Sequence, residues 1–342
     1  MTDIAYCTRQ QVQDALAQAD TFRTNTRIDA AIRAAAHQVE AMTHRRFYPT
    51  TVTRYPEIRD VTGPVLWLDA DYKEMISIVS FTVDGSALTE GTDFFLRPDG
   101  GPPFTSLKLM NSSAASFSSD DKGMILRGEQ GASGTTRAAG VLAGALNDSQ
   151  VVIDISDSSL VGVGDLLTVG TERMNVVGQA DMDTTATLAG SLAANMGARA
   201  VTVNDGTLLH EGERITVGTE RMFIESISGN TLTVRRAELG SILAAHSTSD
   251  PVDAPRVLRV VRGVTGTTTA SHSNGATVLA NDPPGLVKEC SLAHALVNLT
   301  NSQAAYGRSG SGDSQVTMSG EQLKAIVDDL ITAYGRHRSG AA

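Results

Sequence analysis

Apolar positions recur at helical spacing at both ends of this chain and at strand spacing between them. Near the start, Thr8 followed by Gln11 fits a capping box, and Val12, Ala15, Leu16 and Ala19 continue at helical intervals. After the polar break TFRTNT, Ile28, Ile32, Ala35, Val39 and Met42 fall at i, i+4, i+7, i+11 and i+14, one stripe of a longer helix. That helix is expected to end near HRRFYP, where Pro49 cannot continue it. At the other end, Leu286, Val287, Cys290, Ala293, His294 and Val297 follow Pro283-Pro284 and mark a helix that begins where proline is tolerated. Ser319 with Gln322 makes a second capping box, and Leu323, Ile326, Val327, Leu330, Ile331 and Tyr334 form a clean apolar stripe after it.

Between these ends the signal is β. VTRYPEI, VLWLDA, IVSFTVDG and DFFLRP are short, β-branched or aromatic, and punctuated by turn residues, with a hairpin expected at Asp84-Gly85. The Ser-rich stretch 111–123 reads as a loop and residues 131–149 as a linker. The economical arrangement packs the terminal helices on each other. The expected fold is therefore α+β: a discontinuous helical bundle (1–49 plus 283–342) with a β-hairpin region (50–130) and a tandem β-repeat region (150–281) inserted as small sandwich- or barrel-like modules.

The repeat is explicit. VGTERM occurs at 169–174 and again at 217–222, inside a longer match at a constant offset of 48. A two-residue Gly-Thr turn makes each copy a hairpin. Val217 then opposes Glu220, Ile215 opposes Met222 and Glu213 opposes Ile224, all on one face. In the first copy that face carries Asp165, Leu167, Val169, Glu172, Met174 and Val176. Gly170 and Gly218 supply the turns, and Glu172, Met174, Glu220 and Met222 line the inner face. A second motif follows at an offset of 26: Arg236, Gly240, Ala244 and His246 match Arg262, Gly266, Ala270 and His272. Residues 188–203, with GSLAA but no histidine, read as a degenerate third copy of it.

Composition narrows the chemistry. A formal charge of −10 disfavours sequence-independent binding to duplex DNA, whose affinity comes from Lys and Arg on phosphate. Cys7 and Cys290 lie far apart and form no CxxC pair, so neither a disulfide framework nor a zinc site is expected. No apolar run reaches the ~20 residues of a membrane span. Glu172 and Glu220 could in principle pair as catalytic carboxylates, but equivalent positions in separate modules sit far apart. Carboxylates that accept turn N–H groups or pair with a nearby arginine fit better. His210, His246 and His272 lack metal-ligand spacing and read as loop bridges. GRSGSGD at 307–313 lacks the Lys-Ser/Thr ending of a phosphate loop. No catalytic residue, metal or cofactor is expected. Arg45, Arg46, Arg336 and Arg338 either complement helix C-termini or contact an acidic partner.

YCTRQQVQDAL and DAAIRAAAHQVEAMTHRRFYP, with PPGLVKECSLAHALVNLTNSQAAYGR and EQLKAIVDDLITAYGRHR at the other end, resemble the helices of head-to-tail adaptor (connector) proteins of long-tailed bacteriophages. The VGTERM and RG..GT…H..GA.V motifs look like those of actinobacteriophage adaptors. The resemblance implies a non-enzymatic virion protein of the neck, assembled in the host cytoplasm as a homo-oligomeric ring, commonly of twelve subunits. Such a ring docks on the portal protein and continues the DNA channel, so dsDNA passes without specific binding. A tail-side connector, stopper or tail terminator protein would sit below it, and the capsid protein could brace it. Ile28, Ile32, Val39, Met42, Leu323, Ile326, Val327 and Leu330 would then serve helix packing or the ring interface, and the four arginines would meet the portal. The alternative is a tail or baseplate protein whose β-modules bind the host surface or other virion proteins. Against glycan binding, residues 150–281 contain one aromatic, Phe223.

Overall fold

The computed structural model describes residues 4–16, 24–68, 73–304 and 320–336. Among the described residues, four α-helices stand toward the ends: α1 (Arg9–Ala15), α2 (Asn25–Thr43), α3 (Gly285–Ala304) and α4 (Gly320–Tyr334). The expected frame, a helical bundle carrying inserts, is overturned. Strands make up 38% of the chain against 23% helix, and all strand pairs belong to three antiparallel sheets. The physical reason is that the β regions bury three cores of their own, built from strands and the loops between them with no residue of the four α-helices. The helices form a smaller cluster at one side.

That cluster uses the apolar stripes. Ile28, Ile32, Ala35 and Val39 of α2 are buried, and Met42 is half-buried. They meet Ala295 and Leu299 of α3 at one end, and Val287, Cys290 and Leu330 at the other. Ile326 and Val327 pack against the second group, while Leu323 is half-buried outside it. The Thr8–Gln11 capping box is present. Ser319 of the second box lies outside the described residues. Cys7 and Cys290 are free, buried thiols, each pushed up to about 11 by burial.

Next comes a sandwich. One sheet has the order β1 (Thr50–Arg54), β8 (Met124–Gln130), β4 (Met75–Val83), β5 (Ser86–Leu88). The other runs β2 (Val61–Thr62), β3 (Val65–Trp67), β7 (Ser106–Leu109), β6 (Phe94–Arg97). Leu66, Phe81, Phe94, Leu107 and Leu126 fill the space between them. The Asp84-Gly85 hairpin forms with both residues at positive φ, which a tight primed turn requires. The Ser-rich loop is tied down, Ser118 donating to Asp84 at 2.6 Å and Ser113 to Asp93 at 2.8 Å.

The repeat region is not a tandem. Its strands are β9 (Thr136–Val141), β10 (Val152–Asp154), β11 (Leu166–Val169), β12 (Glu172–Thr187), β13 (Ala200–Thr202), β14 (Arg214–Val217), β15 (Glu220–Ser228), β16 (Thr231–Arg235), β17 (Pro251–Arg262) and β18 (Thr277–Asn281). They make two six-stranded barrels, one inserted in the other. The first runs β9-β18-β11-β12-β17-β10 and closes through the Leu142–Ile155 bridge. The second runs β12-β17-β14-β15-β16-β13 and closes through Leu188–Val203. The long strands β12 and β17 belong to both barrels. A register shift between Ala180 and Met182 marks where β12 passes from one to the other, and Gln179 Nε2 ties it to the Pro255 carbonyl of β17 at 2.5 Å. Residues 136–146, read as linker, are a strand and a closing turn of the first barrel, with Ala139, Leu142 and Leu146 buried in its core. Residues 188–203 are likewise not a third copy of the histidine motif. They are the counterpart of 142–155, closing the second barrel as those close the first.

Candidate functional site

Each barrel is built around the GTER hairpin. In both, two central residues turn the chain, with Gly170 at φ 59° and Gly218 at φ 60°. The register is Val169 opposite Glu172 and Leu167 opposite Met174, then Val217 opposite Glu220 and Ile215 opposite Met222. Met174 and Met222 enter the two cores. Glu172 and Glu220 are also wholly buried, at 0% exposure, which demands partners for each carboxylate.

The partners are the residues of the second motif. The Glu220 carboxylate accepts Arg236 Nε and Nη2, both at 2.7 Å, in a bidentate pair. It also accepts the N–H groups of Ala237 and Ala244 at 3.1 Å and lies 2.9 Å from His246 Nε2. An ionised carboxylate only accepts, so His246 donates from Nε2. Arg236 spends its remaining donors on the carbonyls of Ala193, Ala198 and Ala244. Around Glu172 the same set recurs: Arg262 Nε at 2.8 Å and Nη2 at 2.5 Å, Ala270 N–H at 3.0 Å, Gly263 N–H at 3.3 Å and His272 Nε2 at 2.9 Å. Burial alone would push both carboxyls up. The arginine, histidine and backbone donors outweigh it, bringing Glu220 down to about 2 and Glu172 below its ordinary value.

A second acid anchors each barrel one strand away. Glu213 accepts Arg256 Nε at 2.9 Å and Nη2 at 2.7 Å, and also the backbone and hydroxyl of Ser158 from the first barrel. Its counterpart Asp165 accepts Arg137 Nη2 and the Gly162 N–H, both at 2.9 Å. Burial raises Asp165, with Arg137 opposing; at Glu213 the same burial is overcome by Arg256 and Ser158, and the carboxyl is held low. Ser158 thus bolts one barrel to the other.

These knots hold shape. Five donors converge on each GTER carboxylate, so no lone pair is left free to take a proton from a substrate. Among the described residues no cluster of His, Cys, Asp and Glu could hold a metal, and no helix is long and apolar enough to cross a membrane. A polar cavity of about 380 Å³ lies between α1 and the barrels. Much of its wall is already cross-linked, by Gln10 to Gln179 and by Arg214 to Asp14. No family model, curated protein or solved structure matches this chain.

The structure brings Arg45 and Arg336 together on one buried acid, Glu74. Arg45 Nε lies 3.1 Å away and Arg336 Nη2 2.8 Å away. This ties the chain just past the ends of α2 and α4 to the residue that precedes β4. Arg46 lies 3.8 Å from Glu40, and Arg338 falls outside the described residues. His210 stands apart from His246 and His272, half-buried and 3.8 Å from Asp157. Sequence reasoning missed Arg137 and Arg256, which carry no repeated word around them. It also missed LAGAL (142–146) against LAGSL (188–192), a match at an offset of 46 that marks the two barrel closures.

Proposed function

We propose that this protein is a structural component of a bacteriophage neck: a head-to-tail adaptor whose copies form a ring joining the portal to the tail and continuing the DNA channel. The observation that carries this reading is the use of the chemistry-bearing residues. The repeated Glu, Arg and His side chains are consumed in buried, mutually saturated knots, as suits a load-bearing part rather than a turnover site. Two features support it. Helices from both ends of the chain pack on one another, α2 against α3 and α4. The charge of −10 suits a protein that lets DNA pass without holding it. The test is co-sedimentation of the purified protein with the portal ring of the same phage, with negative-stain imaging of the product. A ring seated on the portal is the expected result. Failure to bind any neck protein, or turnover of a substrate abolished by E220Q, would refute it.

A further inference from the structure

Because the barrels are copies, each surface of one can be compared with its counterpart, and one pair differs in what covers it. On the first barrel, Arg173 of the GTER hairpin faces outward onto the sandwich. Its guanidinium reaches the Thr51 hydroxyl at 3.2 Å and pairs with Glu129, leaving the side chain 7% exposed. Beside it the Thr265 carbonyl accepts the N–H of Thr51, on the outer edge of β1, at 2.9 Å. Gly266 comes so close that a Cβ there would lie 2.2 Å from the Thr51 carbonyl oxygen. The first barrel thus grips a strand edge through an arginine, a carbonyl and a close-packed loop, against a carboxylate on the neighbouring strand.

Among the described residues no strand edge sits in the matching grip of the second barrel, where Arg221, Phe223 and Leu239 line the cavity beside α1. Arg221 stands where Arg173 does, held by the same backbone bond: its N–H donates to Ser241 at 2.9 Å as that of Arg173 donates to Thr267 at 3.0 Å. Arg221 is an exposed residue. The counterparts of Thr265, Gly266 and Thr268 are Leu239, Gly240 and Ile242. Leu239 keeps the left-handed φ of 51° shared by Thr265, and Ile242 is 80% exposed. Arg214 is paired with Asp14 of α1 and Arg235 with Glu238 at 3.1 Å, so the charge this face offers a partner is that of Arg221. Phe223, paired with Arg214 and Arg235, lies between their guanidiniums, at 5.7 and 4.6 Å from its centroid.

We propose that this face of the second barrel docks a strand edge of the portal, one bearing a carboxylate, with Arg221 on the acid, the Leu239 carbonyl on a backbone N–H and Ile242 against an apolar side chain. A second copy of this chain does not fit in this mode, since each copy's Thr51–Glu129 edge is already filled by its own Arg173. The assignment rests on the neck reading above. The experiment measures portal affinity for wild type, R221E and I242D, with melting temperature and homo-oligomeric state recorded for each. Both side chains are exposed, so folding and ring formation should be unchanged, while portal affinity falls tenfold or more. A photocrosslinker at position 242 should trap a portal peptide containing Asp or Glu. If wild type binds the portal and both variants bind equally well, the docking inference fails and the neck reading stands. If the variants change self-association, or the crosslink goes to a tail-side protein, the portal assignment is wrong. If wild type binds no neck protein, both fall.

Discussion

Replacing Glu220 by glutamine keeps the shape of the side chain and removes its charge. The amide can still accept on one side, toward Arg236 Nε and the Ala237 N–H. Its NH2 then faces three donors: Arg236 Nη2, the Ala244 N–H and His246 Nε2. Arg236, whose side chain is 0% exposed, is left as a buried charge without a counter-ion. Breaking a buried pair in this way costs about 3–5 kcal/mol, close to the whole stability of a marginal domain. For a unit of this size, about 4 kcal/mol corresponds to a fall of roughly 20 °C in the transition of the second barrel. Amide exchange by mass spectrometry is the discriminating assay. Protection across 182–254 should drop by about three orders of magnitude, since each 1.4 kcal/mol is tenfold. The sandwich core around Leu66 and Leu107 should keep its protection. A loss below about 1 kcal/mol, or equal loosening of sandwich and barrel, would show that the knot does not hold the second barrel together.

Three other outcomes are expected. Glu220 titrates at about 2 in the folded chain against 4.5 as its ordinary value, so its contribution is complete above about pH 4.5 and is lost as pH falls toward 2; acid titration of stability should be flatter in E220Q. Ala237 sits at φ 55° where the first barrel has Gly263 at φ 62°, so A237G should relieve left-handed strain and stabilise the second barrel by about 0.5–1 kcal/mol in thermal melts. E74Q should strand the Arg45 and Arg336 guanidiniums, cost about 2–4 kcal/mol and selectively speed amide exchange over 320–336.

The hairpins were legible because a two-residue turn fixes register, and period-2 alternation then fixes which side chains go inward. The stripe of α2 was legible for the same kind of reason. The partners of Glu172 and Glu220 were half legible: Arg236, His246, Arg262 and His272 stand out as a repeated set, but nothing local says that they close over the glutamates. The helical frame misled because terminal periodicity says where helices are and not how much core they bury. The nesting was written in the offsets. A tandem duplication keeps one spacing throughout, whereas here the hairpins are 48 apart and the histidine motifs only 26, with the second barrel's copy coming first. Arg137 and Arg256 were invisible, since they reach their acids across the sheet from segments without matching words.

Insertion of one barrel in the other imposes an order on synthesis. Residues 182–254 leave the ribosome as one uninterrupted stretch and can close their own core at once. The outer barrel must wait, its first strands made early and its last, β18, finished only at Asn281. Until then β11 and β12 offer unpaired edges, and α2 lacks α3 and α4 as well. If the inner barrel forms first, it draws the two halves of the outer one together and shortens the loop that must be closed. A slow inner barrel would leave the whole chain open at both levels, so the second GTER word, although it lies later in the sequence, governs how soon the first can find its partners.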